Sequence, residues 1–215
     1  MPIGNDIVDL RDPETRPSGL HPRFDRRVFT PAERERIGPD ERGNRVRWLI
    51  WAAKESAYKA AKKRDPRTVF SPRRFEVELQ DERAGIVRFG DSVFSLLAEL
   101  SDELVHVVAA PAAELVENAR EAVSRPATET GRRFALYFET VLLSSRTRDA
   151  LVAGLEVRQM AARALGSLLE IPRQRIELIR RGRVPRALFQ GVRLPIDLSL
   201  SHHGRFGAFA FTVTR

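Results

Sequence analysis

Two short segments of the sequence carry charged side chains at spacings that suit metal or proton chemistry. In residues 4–9 (GNDIVD), Asp6 stands beside β-branched residues, and a carboxylate in such a strand is costly to bury unless it is paired or bound to a metal. Trp51, Glu55 and Lys59 follow at intervals of four, which puts them on one face of a helix. Taken singly, the segments also fit a solvent-facing Asp and a surface Glu–Lys pair, the latter worth roughly 0.3–0.5 kcal/mol.

The basic residues are distributed unevenly in type. Of 37 basic side chains, 33 are arginine, and the 4 lysines all lie within ten residues. A lysine ammonium is a compact charge with a tunable pKa, which an arginine cannot replace in proton chemistry. The clustering therefore marks this helix for chemistry, with chance as the alternative. The lysines are Lys54, Lys59, Lys62 and Lys63.

Two segments near the carboxyl end favour anion binding. Residues 199–204 (SLSHHG) form a polar turn at a strand end, and residues 180–186 (RRGRVPR) place four arginines around a Gly/Pro turn. His202 and His203 do not by themselves form a zinc site, because neighbouring strand residues point to opposite faces. An ordinary polar turn and a basic surface turn are the alternatives. Together with Asp6 and Glu55, these segments suit a divalent metal and a polyphosphate, with no phosphate-binding glycine loop present.

Length and composition limit the class of protein. The chain has 215 residues, which fits one large domain or two small ones, and it has no cysteine for disulfides or thiolate chemistry. No apolar run approaches a membrane span, and the first residues do not resemble a signal peptide, so the predicted location is the cytoplasm. The net charge of +8 predicts an acidic partner. A nucleic-acid-binding module is an alternative, although only 7% of residues are aromatic and no recognition motif is present.

Hydrophobic periodicity and turn residues predict an α+β fold with antiparallel strands. A Thr–Pro–x–Glu pattern at residues 30–33 predicts a capped helix start, and residues 124–131 predict a linker. Residues 96–110 can be laid on residues 198–212, which suggests two copies of one unit. Strands are predicted at 3–10, 75–79, 85–89, 93–100, 104–110, 175–179, 196–201 and 205–213, and helices at 46–63, 112–122, 132–143 and 148–170.

These segments together resemble a known family. GNDIVDL, WAAKESAYKA and SLSHHGRFGAFAF resemble the three signature segments of the 4'-phosphopantetheinyl transferases. Residues 21–33 (HPRFDRRVFTPAE) resemble the small holo-acyl-carrier-protein synthase branch. Residues 146–211 resemble the amino-terminal half of the larger, surfactin-synthetase-activating branch, but here this half follows the Asp strand instead of preceding it.

The resemblance implies a reaction and its residues. Phosphopantetheine is moved from coenzyme A to a serine of an acidic acyl or peptidyl carrier protein, with Mg²⁺ and release of 3',5'-ADP; no nucleic acid or membrane partner is implied. Position 8 is Val where the larger branch usually has a third carboxylate; Asp9 is the alternative, but in a regular strand it points to the opposite face from Asp6. A transferase-fold protein that has lost activity is a further alternative. The implied residues are Asp6 and Glu55 for metal; Glu55, Lys59 and Asp6 for catalysis; Lys54, Lys59, Arg183, Ser201 and His202 for coenzyme A; and Arg23, Arg26 and Arg27 for the carrier.

The resemblance also implies an architecture. The expected fold is a pseudo-twofold pair of helix-plus-antiparallel-sheet units, with the halves in permuted order. Residues 1–115 are the metal-binding and catalytic half, 116–131 the linker and 132–215 the coenzyme-A-binding half. We expect a monomer that is an internal pseudo-dimer, with coenzyme A between the halves and with Ile3 and Val213 on neighbouring ends.

Overall fold

The computed structural model describes residues 1–111, 134–144, 149–182 and 184–214. Within these ranges the chain is an α+β protein whose strand pairs are all antiparallel, which confirms the predicted fold class. The helices are α1 (Phe24–Val28), α2 (Pro31–Arg36), α3 (Glu41–Arg64) and α4 (Ala150–Leu169). The strands are β1 (Gly4–Asp9), β2 (Glu76–Leu79), β3 (Ala84–Phe89), β4 (Ser92–Leu100), β5 (Leu104–Pro111), β6 (Phe134–Leu142), β7 (Ile176–Arg181), β8 (Val184–Phe189), β9 (Val192–Arg193), β10 (Ile196–His203) and β11 (Phe206–Thr214).

The first unit is a five-stranded sheet, in the order β1-β5-β4-β3-β2, with α3 packed against it. Asp40 caps α3 by accepting a hydrogen bond from the Gly43 N–H at 2.7 Å, so the helix starts five residues before the predicted position. One face of α3 supplies Leu49, Ala53 and Ala57 to the core beneath the sheet. This packing fixes the orientation of α3 and therefore the direction of its polar side chains, Glu55 and Lys59.

The second unit contains two three-stranded sheets, β10-β11-β6 and β7-β8-β9, with α4 packed on them. Asp149 caps α4 through the Leu151 N–H at 2.8 Å. Val157 and Leu165 of α4 are buried in a core shared with strands β10 and β11. Within the described ranges, no helix is long and apolar enough to cross a membrane.

The prediction of a helix over residues 132–143 is wrong, because β6 occupies this segment. Its sequence, FALYFETVL, is rich in the aromatic and β-branched residues that favour strands. It pairs with β11 along its whole length, and pairing of this kind outweighs a local helical pattern. The predicted helix at 112–122 and linker at 124–131 lie outside the described residues.

The two units share one order of connection. Each begins with a strand, β1 or β6, and continues through a long helix into antiparallel hairpins. In the first unit, β1 pairs with the last strand, β5, which also pairs with β4. In the second unit, β6 pairs with the last strand, β11, which also pairs with β10. The second unit has one additional short strand, β9. The two units therefore share the order strand, long helix and hairpins, but the first has one sheet of five strands and the second has two sheets of three.

The units meet where side chains of β10 cover the open edge of β1. Backbone pairing with β5 uses one edge of β1, and N–H groups on the other edge donate to alternate side chains of β10. Hydrogen-bonding the free edge in this way protects it from pairing with another strand. The donors and acceptors are Ile3 N to Asp197 Oδ2 at 2.7 Å, Asn5 N to Ser199 Oγ at 2.9 Å and Asp9 N to His203 Nδ1 at 3.1 Å.

Candidate active site

A charged contact in the site joins β1 to α3. Lys59 Nζ donates to Asp6 Oδ1 and to the Asn5 carbonyl, both at 2.8 Å. Strand and helix can approach this closely because Gly4 has no side chain: a Cβ there would lie 2.0 Å from the Ser56 carbonyl oxygen. The structure therefore brings together two of the residues that the sequence singled out in separate segments.

Glu55 lies one helical turn before Lys59 and shares its environment. Burial and, second, the charge of Asp6 raise the pKa of the Glu55 carboxyl from 4.5 to about 7, while Lys59 acts in the opposite direction. The carboxyl group is thus able to accept or release a proton near neutral pH. A pKa in this range suits a general base.

Glu55 and Lys59 line a cleft between the two units. Its volume is about 340 Å³, and first-unit residues on α3 face second-unit residues on β7, β8 and β10 across it. The walls combine one carboxylate with several cations, which suits an anionic ligand. The lining residues are Glu55, Tyr58, Lys59, Lys62, Lys63, Arg180, Val184, Pro185, Ser199 and Leu200.

Two arginines and a histidine stand beside this cleft in the second unit. His202 is exposed, and its Nε2 lies near Gly154 of α4, 3.9 Å from where a Cβ on that glycine would be. Arg158 Nη1 donates to the Gly154 carbonyl at 2.8 Å. Partial desolvation of the ring lowers the pKa of His202, and so do the nearby positive charges of Lys59, Arg158 and Arg180, among others. Such a convergence of positive charge favours a phosphate.

The donor set fits a divalent cation held by two carboxylates. No cluster of three or more His, Asp or Glu side chains that could hold a metal occurs in the part of the chain that the structure describes. Mg²⁺ is commonly held by only one or two carboxylates, with phosphates and water supplying the other oxygens. Asp6 and Glu55 are close enough for one charge to disfavour ionisation of the other, a repulsion that a bound cation would relieve.

The expectation that Lys54 contacts coenzyme A does not fit its position. Its side chain is fully buried, and Nζ donates to Glu33 and to the carbonyl oxygens of Pro72 and Phe75. Glu33 also closes the cap of α2 on Thr30, as the sequence predicted for this helix start. Lys54 therefore holds α2 and the segment before β2 onto α3, and it lies outside the cleft.

Ser201 also differs from its expected role in direct phosphate contact. It is 7% exposed, and its Oγ accepts a hydrogen bond from Asn5 Nδ2 at 3.0 Å. Asn5 Nδ2 in turn lies 3.1 Å from His106 Nε2, on the far side of β1 from β10. Ser201 thus belongs to the contact between units, one residue before the exposed His202.

The remaining predicted residues lie apart from the cleft or outside the described chain. Arg23, Arg26 and Arg27 are exposed on or next to α1, which packs against the turn Pro72–Arg74. Arg183 lies outside the described residues. Asp9 faces away from Asp6 and is bound by Arg205.

Sequence reasoning missed Arg158 and did not select Arg180 from its arginine turn. Arg180 stood in the segment 180–186, so a signal for it existed. Arg158 lies in the middle of α4, where nothing distinguishes it from the other arginines of the chain. Only the packing of α4 against β10 brings it near His202.

Comparison with known proteins gives one match. The family model described as the 4'-phosphopantetheinyl transferase superfamily matches residues 2–114, which is more than half of the chain. This span contains all of the first sheet together with Asp6, Glu55 and Lys59. No curated protein matches the sequence.

Proposed function

Because the chain belongs to the 4'-phosphopantetheinyl transferase superfamily, we propose that it transfers 4'-phosphopantetheine from coenzyme A to a serine of an acyl or peptidyl carrier protein. The serine Oγ forms a bond to phosphorus, the bond from that phosphorus to the oxygen of 3',5'-ADP breaks, and the serine loses its proton. The observation that supports this most is the cleft, in which Glu55 and Lys59 face Arg180 across the two units.

Glu55 is the proposed acceptor of the serine proton. It lines the cleft where a serine could enter, and its carboxylate form can accept that proton. Lys59 holds Asp6 in place at 2.8 Å and presents a compact positive charge to the phosphates. Both residues stand on one face of α3, so their spacing is set by the helix.

Asp6 and Glu55 are also the proposed ligands of Mg²⁺. When bound, the ion supplies positive charge against the phosphate oxygens and the leaving group. The two carboxylates come from β1 and α3, which are fixed to each other by the close approach at Gly4. Asp9 takes no part in this pair, because Arg205 occupies its carboxylate.

His202, Arg158 and Arg180 are the proposed contacts for the nucleotide phosphates. They belong to β10, α4 and β7, three elements of the second unit that meet beside the cleft. Arg183 remains a proposed helper on the strength of its motif alone. Ser201 acts indirectly in this proposal, by anchoring β10 to β1 through Asn5.

The proposed partner is an acidic carrier protein that docks on α1. Arg23, Arg26 and Arg27 are exposed there, in the stretch that resembles the carrier-contacting region of the small branch. The net charge of +8 favours encounter with an acidic protein. These arginines would steer the carrier, while the cleft residues act on its serine.

We further propose that the molecule is a pseudo-twofold pair with its halves in permuted order. The shared order of elements in the two units supports this, and the family match ends at residue 114, next to the proposed boundary at 115. The halves are residues 1–115 and 132–215, joined by 116–131. Since β10 already covers the free edge of β1, we expect an active monomer.

The test is mass spectrometry of apo carrier proteins incubated with coenzyme A and Mg²⁺. We expect a gain of one phosphopantetheine, abolished by EDTA and in Asp6→Ala and Glu55→Ala, with circular dichroism unchanged. The matched control is Asp102→Ala, which removes an exposed carboxylate in the turn between β4 and β5 and should retain activity. Full activity in either of these two variants, or in excess EDTA, would contradict the proposed site.

A further inference from the structure

We propose that Asp9 is a positioning residue: it seats the turn that follows β10, the strand that carries His202, and thereby gives the enzyme its selectivity for the 3'-phosphate of coenzyme A. This inference rests on the proposed function and extends it to a residue that neither binds the metal nor touches the substrate. Asp9 ends β1, three residues after Asp6. It therefore connects the strand of the carboxylate pair to the phosphate-binding end of the second unit.

Asp9 contacts both the last residue of β10, His203, and the turn that follows it. The Asp9 N–H donates to His203 Nδ1 at 3.1 Å, while its carboxylate accepts from the Arg205 N–H at 2.9 Å. The Arg205 guanidinium adds two further bonds to the two carboxylate oxygens, each of 2.8 Å. A bidentate arginine–carboxylate pair fixes orientation as well as distance.

The close packing of the turn on Asp9 favours glycine at position 204. Gly204 has φ of +53°, and a Cβ there would lie 2.6 Å from Asp9 Oδ2. Asp9 itself is only 2% exposed, and the Arg11 N–H donates to its Oδ1 at 2.9 Å. The Asp9 carboxylate, packed closely against Arg11, Gly204 and Arg205, thus forms a socket for the turn. A small shift of the turn would break several of these contacts together.

His202 depends on this socket through strand geometry. Alternate residues of β10 point to opposite faces, so His203 points to β1 while His202 points towards Gly154 and Arg158 of α4. A turn that rotates or slides on Asp9 must therefore move the His202 ring relative to Arg158. The proposed phosphate site is complete only when His203 and Arg205 are held in the socket.

The sign of the charge effect separates positioning from simple electrostatics. Neutralising Asp9 removes a negative charge near a proposed anion site, which by charge alone should strengthen phosphate binding. If Asp9 acts by position, neutralising it should instead weaken binding of the 3'-phosphate. A general loss of structure would affect every substrate alike.

The experiment compares coenzyme A with dephospho-coenzyme A, which lacks the 3'-phosphate, in wild type and Asp9→Asn. We expect kcat/KM for coenzyme A to fall by about tenfold or more, with that for dephospho-coenzyme A changed less than about threefold. The KM for the carrier should not move. The His202 imidazole signals in NMR should shift, and their response to added 3',5'-ADP should weaken.

Two further variants keep the result interpretable. Glu103→Gln removes a carboxylate that also reaches Arg205, at 3.9 Å, and this control should retain the wild-type preference. Should Asp9→Asn fold poorly, the double variant Asp9→Asn/Arg205→Gln removes both charges and leaves none buried without a partner. It should show the same selective loss for coenzyme A.

The outcomes separate this inference from the proposed function. If the wild type modifies no carrier with either donor, the proposed function fails. If it transfers but does not prefer coenzyme A, or if Asp9→Asn lowers both donors equally, the positioning role is overturned while the proposed function stands. Tighter binding of coenzyme A by Asp9→Asn would also overturn it.

Discussion

At the scale of single residues, the four lysines of this arginine-rich chain occupy positions of one kind. Each ammonium donates to at least one backbone carbonyl, and three of the four also contact a carboxylate. A compact ammonium on a slim stem fits such narrow, partly buried positions, whereas a planar guanidinium would not. The lysine cluster therefore marked a helix at the junction of the units, and only part of it faces the cleft. The lysines are Lys54, Lys59, Lys62 and Lys63.

Glu55 yields a prediction about stability and pH. Its pKa is raised from 4.5 to about 7 in the folded protein, so the folded state binds this proton more tightly than the unfolded state does. The free energy of unfolding of the wild type should therefore fall as pH rises between about 4.5 and 7. Glu55→Gln has no carboxyl group at this position and should not show this part of the fall.

In metal-free buffer, we expect Glu55→Gln to gain on the order of 1–2 kcal/mol of stability relative to wild type on going from pH 5 to pH 8.5. Urea denaturation at both pH values measures the difference. The variant should at the same time be inactive. A stability difference that does not change with pH would show that the charged form of Glu55 carries no burial cost.

At the scale of elements, the apolar residues of α1 fix the helix on α3 and thereby orient its charged residues. Phe24, at its start, packs on Trp48 and Trp51 of α3, with ring centroids 5.8 Å apart in both cases. Val28 is buried on the same short helix. Because the apolar residues of α1 face the core, its arginines face solvent.

This arrangement predicts a selective effect on the carrier. Arg23→Glu, Arg26→Glu and Arg27→Glu, separately and together, should raise the carrier KM, roughly tenfold for the triple variant, and weaken its salt dependence. The KM for coenzyme A should hardly change. Steady-state kinetics at two ionic strengths measure both.

The control is Arg42→Glu, which reverses an exposed arginine near the start of α3. It precedes Glu55 by 13 residues, about 20 Å along a helix at 1.5 Å per residue. This variant should leave both KM values unchanged. Equal effects of the α1 variants on the two substrates would mean that these arginines serve the nucleotide.

At the scale of the whole molecule, both ends of the described chain meet at one place. The Thr212 hydroxyl donates to the Met1 carbonyl at 3.2 Å, and Val213 pairs with Ile196, beside the Asp197 that binds Ile3. Lys63 Nζ reaches both Ile3 and Asp197 at 2.7 Å. The expected neighbourhood of Ile3 and Val213 is therefore present in the fold.

A circular permutant tests the proposed order of the halves. Joining residue 215 to residue 1 by a short flexible linker and opening the chain near residue 127 should restore the usual order with activity retained within a few fold. Size-exclusion chromatography with light scattering should report an active monomer for both chains. A permutant that folds by circular dichroism but is inactive, or activity confined to a trimer, would count against the permuted pseudo-dimer.

The sequence by itself determined the features that depend on local periodicity and short motifs. The four-residue spacing of Glu55 and Lys59, the alternation of β10 and the cap at Thr30 are written in neighbouring residues, and so is the resemblance of the three segments. Tertiary structure decided the rest: that residues 134–142 pair as a strand, that Lys54 and Ser201 are buried, that Arg158 and His202 both lie beside Gly154, and that Asp9 holds a turn almost two hundred residues away. The reason is that burial and charge pairing depend on which surfaces meet after the chain has folded, and no local pattern encodes a contact between residues so far apart.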